Sequence, residues 1–176
     1  MVIRRTAIVA ACLVLANMVS AQGELLPQRP SPIPQTTNGV PHVQLGVDAH
    51  PDLSQQLLER VALFPGVTIG PTRVSLPGAF GFQLDDDLAL ARPEVIVGGR
   101  EFAHLHPDGS LHASLEPALA RMAVDAGWAI AHPWANQREG WEGFVMLYTP
   151  TSAEELEIVM QLVGRSYNFV TGLTLP

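Results

Sequence analysis

Leu53, Leu57, Leu58, Val61 and Phe64 recur at helical spacing, and Pro65-Gly66 ends the run, so the pattern predicts a first helix over residues 52–64. Three short β-prone stretches follow, 67–69, 73–76 and 80–84, punctuated by Pro71, Pro77 and Gly78. Further strands are predicted over 95–97, 101–106, 111–115 and 144–148. A second helix is expected over 117–126, with Pro117 in its first turn and Gly127 as its stop. Ser152 with Glu155 three residues on reads as a capping box, and Leu156, Val159, Met160, Val163, Tyr167 and Val170 form the buried stripe of the last helix. Strands and helices do not alternate regularly. The expected fold is therefore α+β, a mostly antiparallel sheet with helices packed on one side in a single domain.

The most apolar stretch is read differently. Arg4 and Arg5 precede an apolar run over residues 7–19, and Val19-Ser20-Ala21 offers small residues for cleavage, so residues 1–21 read as a signal peptide. That run is shorter than the roughly 20 residues a membrane-spanning helix needs. The expectation is an exported protein, periplasmic or secreted, with no stable membrane span after cleavage. Residues 22–41 carry Pro27, Pro30, Pro32, Pro34 and Pro41 and read as an extended, unpacked linker, with the folded domain over 42–176. The remaining length suits one hydrophobic core.

Composition narrows the chemistry. Cys12 is the single cysteine and lies inside the predicted signal peptide, so a mature chain has no thiol for redox, nucleophilic or metal chemistry. The chain has no lysine, and without residues 1–21 it carries 8 arginines against 17 acidic residues, a formal charge of −9. Nucleic acid is excluded as a partner, because displacing counterions from a phosphate backbone takes a basic face. The run Asp85-Asp86-Asp87 lacks the spacing of a calcium loop and reads as a solvated turn.

The chemistry concentrates in Arg100-Glu101-Phe102-Ala103-His104-Leu105-His106-Pro107-Asp108-Gly109-Ser110-Leu111-His112. Pro107, Asp108 and Gly109 suit a three-residue hairpin loop whose last residue is left-handed. In that register His104 opposes His112, His106 opposes Ser110, and alternation puts Phe102, His104, His106 and His112 on one face. A two-residue Asp108-Gly109 loop would instead send His112 to the opposite face. Three neutral imidazoles on one face can hold a divalent metal with open coordination positions, or act without metal as general bases near neutral pH. Phe102 fits a pocket wall or the core. Trp128, His132, Trp134 and Trp141 follow in a short irregular region that fits the side wall or lid of an apolar pocket.

These motifs, with Ser110-Leu111-His112, Ala126-Gly127-Trp128, His132-Pro133, Phe144-Val145-Met146-Leu147-Tyr148-Thr149-Pro150 and the closing helix, resemble the luciferase-like domain family. That family includes the luciferase of bioluminescent fungi and many bacterial proteins. The resemblance spans about residues 53–172 and is strongest after Arg100. It implies an O2-using oxidoreductase acting on a small aromatic or enolic substrate, with no known organic cofactor. Carried onto this chain, it implies catalytic roles for His104, His106, His112 and His132 in taking an enol proton and holding an oxyanion or peroxide. Phe102, Trp128 and Tyr148 are the expected substrate-binding residues, and His104, His106 and His112 the candidate ligands of a divalent metal. The other open outcomes are a small-molecule-binding module without turnover and a three-histidine metal enzyme. One departure stands out: the fungal members follow His-Pro with a Leu-Ala-Gly-like segment, whereas this chain has Trp134-Ala135-Asn136-Gln137-Arg138-Glu139-Gly140-Trp141, which implies a different substrate.

Overall fold

The computed structural model describes residues 26–175; the expected signal peptide and Cys12 lie outside them. Six strands form one antiparallel sheet: β1 (Val67–Pro71), β2 (Phe80–Leu84), β3 (Glu101–Leu105), β4 (Leu111–Ser114), β5 (Ala129–Ala131) and β6 (Phe144–Leu147). Their order across the sheet is β1-β2-β3-β4-β6-β5. Three helices, α1 (Pro51–Val61), α2 (Pro117–Asp125) and α3 (Ala153–Thr171), pack on one side of it, so the α+β expectation holds. No helix among the described residues is long and apolar enough to cross a membrane.

The predicted stripes do the packing. Leu57 and Val61 from α1 and Leu156, Val159, Val163, Tyr167 and Val170 from α3 are buried against Phe82, Leu105, Leu111, Ala113, Val145 and Leu147 of the sheet. Each such side chain contributes about 1.5–3 kcal/mol on leaving water. The predicted cap on α3 is half formed: Ser152 Oγ accepts from the Glu155 N–H at 3.3 Å. The Glu155 carboxylate reaches the Thr151 N–H at 2.8 Å instead of that of Ser152.

Two predicted strands are not strands. Residues 73–75 form bends, because the Arg73 N–H is taken by the Glu101 carboxylate at 2.9 Å and the Val74 N–H by Thr72 Oγ1 at 3.2 Å. At 95–97 the chain leaves a single 3-10 turn, Pro93–Val95, and Ser114 Oγ donates to the Val95 carbonyl at 2.8 Å. Conversely, β5 forms where an irregular region was expected, as an edge strand paired with β6.

The Pro-rich segment is extended but not unpacked. Arg29 Nη2 lies 3.2 Å from Glu155 Oε2, with both side chains nearly inaccessible, and donates to the Thr149 carbonyl at 2.8 Å. The Arg29 guanidinium stands over the rings of Trp128 and Tyr148, and Trp128 Nε1 donates to the Pro27 carbonyl at 2.6 Å. One cation, which proline content cannot reveal, docks the segment. Further on, the Thr37 N–H donates to the Val43 carbonyl at 3.0 Å and the Leu45 N–H to the Gln35 carbonyl at 2.8 Å, closing residues 35–45 into a strap.

Candidate functional site

The strap lies across the face of the sheet opposite the helices, over the predicted histidine hairpin. The hairpin takes the three-residue register: His104 pairs with His112, Leu105 with Leu111, and the His106 N–H donates to the Ser110 carbonyl at 2.8 Å. Gly109 closes the loop at φ 84°, a left-handed conformation that suits glycine. Asp108 braces it, its Oδ1 accepting from the Ser110 N–H at 2.9 Å and the Ser110 hydroxyl at 2.7 Å. His104, His106 and His112 are therefore brought together, each at most 5% exposed, with ring centroids 4.6–5.1 Å apart.

Strict alternation fails at one residue. Gln83 pairs with Glu101 and Phe82 with Ala103, so Phe102 is the extra residue of a β-bulge. The bulge turns the Phe102 ring into the helix-side core against Phe82 and Tyr167, away from the pocket where substrate binding was expected. It also brings Glu101 onto the histidine face. The Glu101 Oε1 accepts from His104 Nδ1 at 3.0 Å and from Thr72 Oγ1 at 2.7 Å, while Oε2 accepts from the Arg73 N–H at 2.9 Å and Gln83 Nε2 at 2.7 Å. Burial alone would raise its pKa, but the hydrogen bonds from His104, Arg73 and Thr72 outweigh it and hold the group below the usual carboxylate range. Gly81 makes the arrangement sterically feasible, since a Cβ there would stand 2.5 Å from Glu101 Oε2.

Two more histidines complete the cluster. His132 follows β5 and meets His112 edge-on with ring centroids 4.6 Å apart. Its Nδ1 accepts from the Trp134 N–H at 3.0 Å, which places the proton of the neutral ring on Nε2. His42 arrives from the strap, 3% exposed, with its Nδ1 3.1 Å from His112 Nε2. Desolvation disfavours the imidazolium forms of the cluster: it lowers His42, brings His106 to about 4 and His132 to about 3, and holds His112 well below the ordinary value. Repulsion among the neighbouring imidazoles adds to this for His106, His112 and His132, against a partial opposing effect of Asp108 on His106. His42, His106, His112 and His132 are therefore neutral at physiological pH.

The cluster lines a pocket of about 280 Å³. Val40 and Pro41 of the strap, Val74, Leu76, Val97, Trp134 and Phe144 supply its apolar walls, and no charged side chain lines it among the described residues. Trp134 stacks on Trp141 at 6.2 Å, extending an aromatic wall. Of the predicted site residues, His104, His106, His112 and His132 all line this pocket. Trp128 and Tyr148 do not: both are buried beside Arg29, whose guanidinium stands over their rings. Glu101 and His42 were missed. The i,i+3 spacing of Glu101 and His104 was a signal for the first once a bulge is allowed; nothing local marks the second, whose partner is 70 residues away.

The hydrogen-bond network fixes which nitrogens are available. In the neutral form of His104, donation from Nδ1 to a carboxylate leaves the lone pair on Nε2. Because the Ser110 hydroxyl donates to Asp108, it accepts from His106 Nδ1 at 3.0 Å, so the His106 Nε2 also carries one. His104 Nε2 lies 3.0 Å from His112 Nδ1. Ligands of one zinc-like ion at about 2.0–2.1 Å lie roughly 3.0–3.4 Å apart, so this pair already has the spacing of two of them. His104, His106 and His112 all place one nitrogen within 4.8 Å of the others, and so do His42, His112 and His132. The first set is chemically the better fit, since the His132 lone pair in the second is engaged by the Trp134 N–H. A carboxylate behind one histidine and a hydroxyl–carboxylate pair behind another are the outer partners that metal-ligating histidines require.

No curated protein and no solved structure matches the chain significantly. Residues 99–166, which include Glu101 and the pocket histidines other than His42, match the family model described as the luciferase domain, and the resemblance to that family is shown over this stretch.

Proposed function

We propose that this is an exported, O2-using oxidoreductase of the luciferase-domain type, in which His104, His106 and His112 hold a divalent metal ion beside a small aromatic or enolic substrate. The observation that carries the metal is the convergence of three buried imidazoles, two with Nε2 lone pairs fixed by a carboxylate and by a hydroxyl–carboxylate pair. When bound there, such an ion supplies open coordination positions for polarising a substrate oxygen. The chain does the rest. Val74, Leu76, Val97, Trp134 and Phe144 exclude water and favour a flat, uncharged molecule, and the His132 Nε2–H is a donor for a developing oxyanion. The family match supports the oxygen chemistry, and the changed loop around Trp134 supports a substrate other than that of the fungal members.

Elemental analysis of the full chain, purified without a histidine tag beside a His104→Ala/His106→Ala variant, tests this. The expected result is about one equivalent of metal in the first and none in the second, with O2 uptake on a panel of phenols and enols following the metal. Metal-free protein in both cases overturns the metal reading. The alternative in that event is that the imidazoles lining the pocket act as bases without an ion, and O2 uptake by metal-free protein would be its signature.

A further inference from the structure

His104 and His106 each have an outer acceptor, Glu101 and Ser110, but His112 has no carboxylate or hydroxyl of the sheet at its far nitrogen. What stands there is His42, with Nδ1 3.1 Å from His112 Nε2 and the two rings stacked at 11°. We infer that His42 is the outer hydrogen-bond partner of His112 in the metal-bound protein, so that the strap over residues 35–45 is part of the metal site and ion binding and strap docking strengthen one another. This rests on the metal reading above.

The proton count supports it. Without an ion, the shared contacts are satisfied when His112 donates from Nδ1 to His104 Nε2 and accepts at Nε2 from His42 Nδ1. With an ion on His104 Nε2 and His112 Nδ1, the His112 proton must reside on Nε2, and His42 Nδ1 is the acceptor within reach. Each ring keeps one proton, so the exchange needs only the tautomers of His112 and His42 to reverse.

The strap is built to present that acceptor. Thr37 Oγ1 donates to the Pro41 carbonyl at 2.7 Å and accepts from the Val43 N–H at 3.1 Å, fixing the residues on both sides of His42. Gln44 then latches the strap to the hairpin: its N–H donates to Asp108 Oδ2 at 3.2 Å, its Nε2 to Thr149 Oγ1 at 2.6 Å, and its Oε1 accepts from the Thr149 N–H at 3.2 Å. Asp108 is the carboxylate that orients Ser110 and, through it, His106. The strap thus supports two of the three ligands, His112 directly and His106 through Asp108. His42 is a positioning residue, acting through His112.

Zinc and cobalt affinities of the full chain, measured by chelator competition for wild type, His42→Ala, His42→Asn and Gln44→Ala, test the linkage. Outer-partner loss costs 10–100-fold in metal affinity. His42→Ala is expected to weaken binding by that factor and to shift the cobalt d–d bands, and His42→Asn, whose amide oxygen replaces Nδ1 as acceptor, to recover most of the loss. Gln44→Ala is expected to weaken binding while leaving the ligands intact. Zinc is expected to slow amide hydrogen exchange across residues 35–45 in the wild type and not in His42→Ala. Should His42→Ala fail to give the wild-type circular dichroism spectrum, the Asn and Gln44 variants decide. Unchanged affinity in the variants together with zinc-insensitive exchange in the strap overturns the inference while leaving the three-histidine site standing. A wild-type protein that binds neither metal overturns both.

Discussion

On the helix side of β3 and β4 stand Ala103, Leu105, Leu111 and Ala113; on the other side of the same strands stand Glu101, His104, His112 and Ser114, all no more than 5% exposed. The two faces leave water to the same extent and gain from it oppositely. The helix face needs only shape, because apolar atoms stabilise wherever they are covered. Each group on the other face would destabilise the fold by a few kcal/mol if buried without a partner, so each of these side chains has a hydrogen-bond partner. Stability is concentrated on one side of the hairpin, and unspent lone pairs are held on the other.

Four measurements break or sharpen that contrast. The largest effect belongs to the helix face: Leu111→Ala is expected to cost about 2–5 kcal/mol in denaturant unfolding. The same loss should be found with and without zinc, since Leu111 packs in the apolar core. A zinc-dependent loss would show that the faces are not independent. Next, Glu101→Gln is expected to weaken zinc binding by roughly 10–100-fold in chelator competition, because the amide presents a donor where Arg73 and Gln83 already donate. An unchanged affinity would reduce Glu101 to a structural brace.

The third effect is the acid response of chelator-treated protein. The folded state resists protonating His106 down to about 4 and His132 down to about 3, whereas in the unfolded chain both bind protons from about 6.5. The unfolded state therefore holds more protons below 6.5, and stability falls as pH falls, by up to roughly 1.4 kcal/mol per histidine for each pH unit. Between pH 6.5 and 5, before ordinary carboxylates titrate, thermal unfolding should show this slope, and His132→Asn should flatten it. A pH-independent midpoint would mean that water reaches the cluster. The smallest effect is expected from Gly81→Ala, whose methyl pushes the Glu101 carboxylate aside without removing it. Its zinc affinity should fall less than that of Glu101→Gln.

The contrast also marks where sequence alone sufficed. Helix stripes and the Pro107-Asp108-Gly109 loop act locally, so the helices, the hairpin register and the meeting of His104, His106 and His112 were all legible. The departures come from interactions between distant segments. A bulge moved Phe102 to the core and Glu101 to the site, and its traces in sequence are the i,i+3 spacing of Glu101 and His104 and the small Gly81 beside the carboxylate. Trp128, read as a pocket residue from its place beside His132, and Tyr148, carried over from the family resemblance, are buried beside Arg29, 99 or more positions earlier. His42 belongs to the cluster through a bond spanning 70 residues, in a segment whose prolines gave no periodicity to read.

The docking of Arg29 sets a boundary for anyone shortening or fusing this chain. A truncation begun at His42, where the apolar pattern suggests that the domain starts, would leave the buried Glu155 carboxylate without its cation and uncover Trp128. The shortened chain would keep every histidine and still lose thermal stability. Fusion partners and purification tags belong upstream of Leu26, where they leave the Arg29 anchor and the strap beyond it undisturbed.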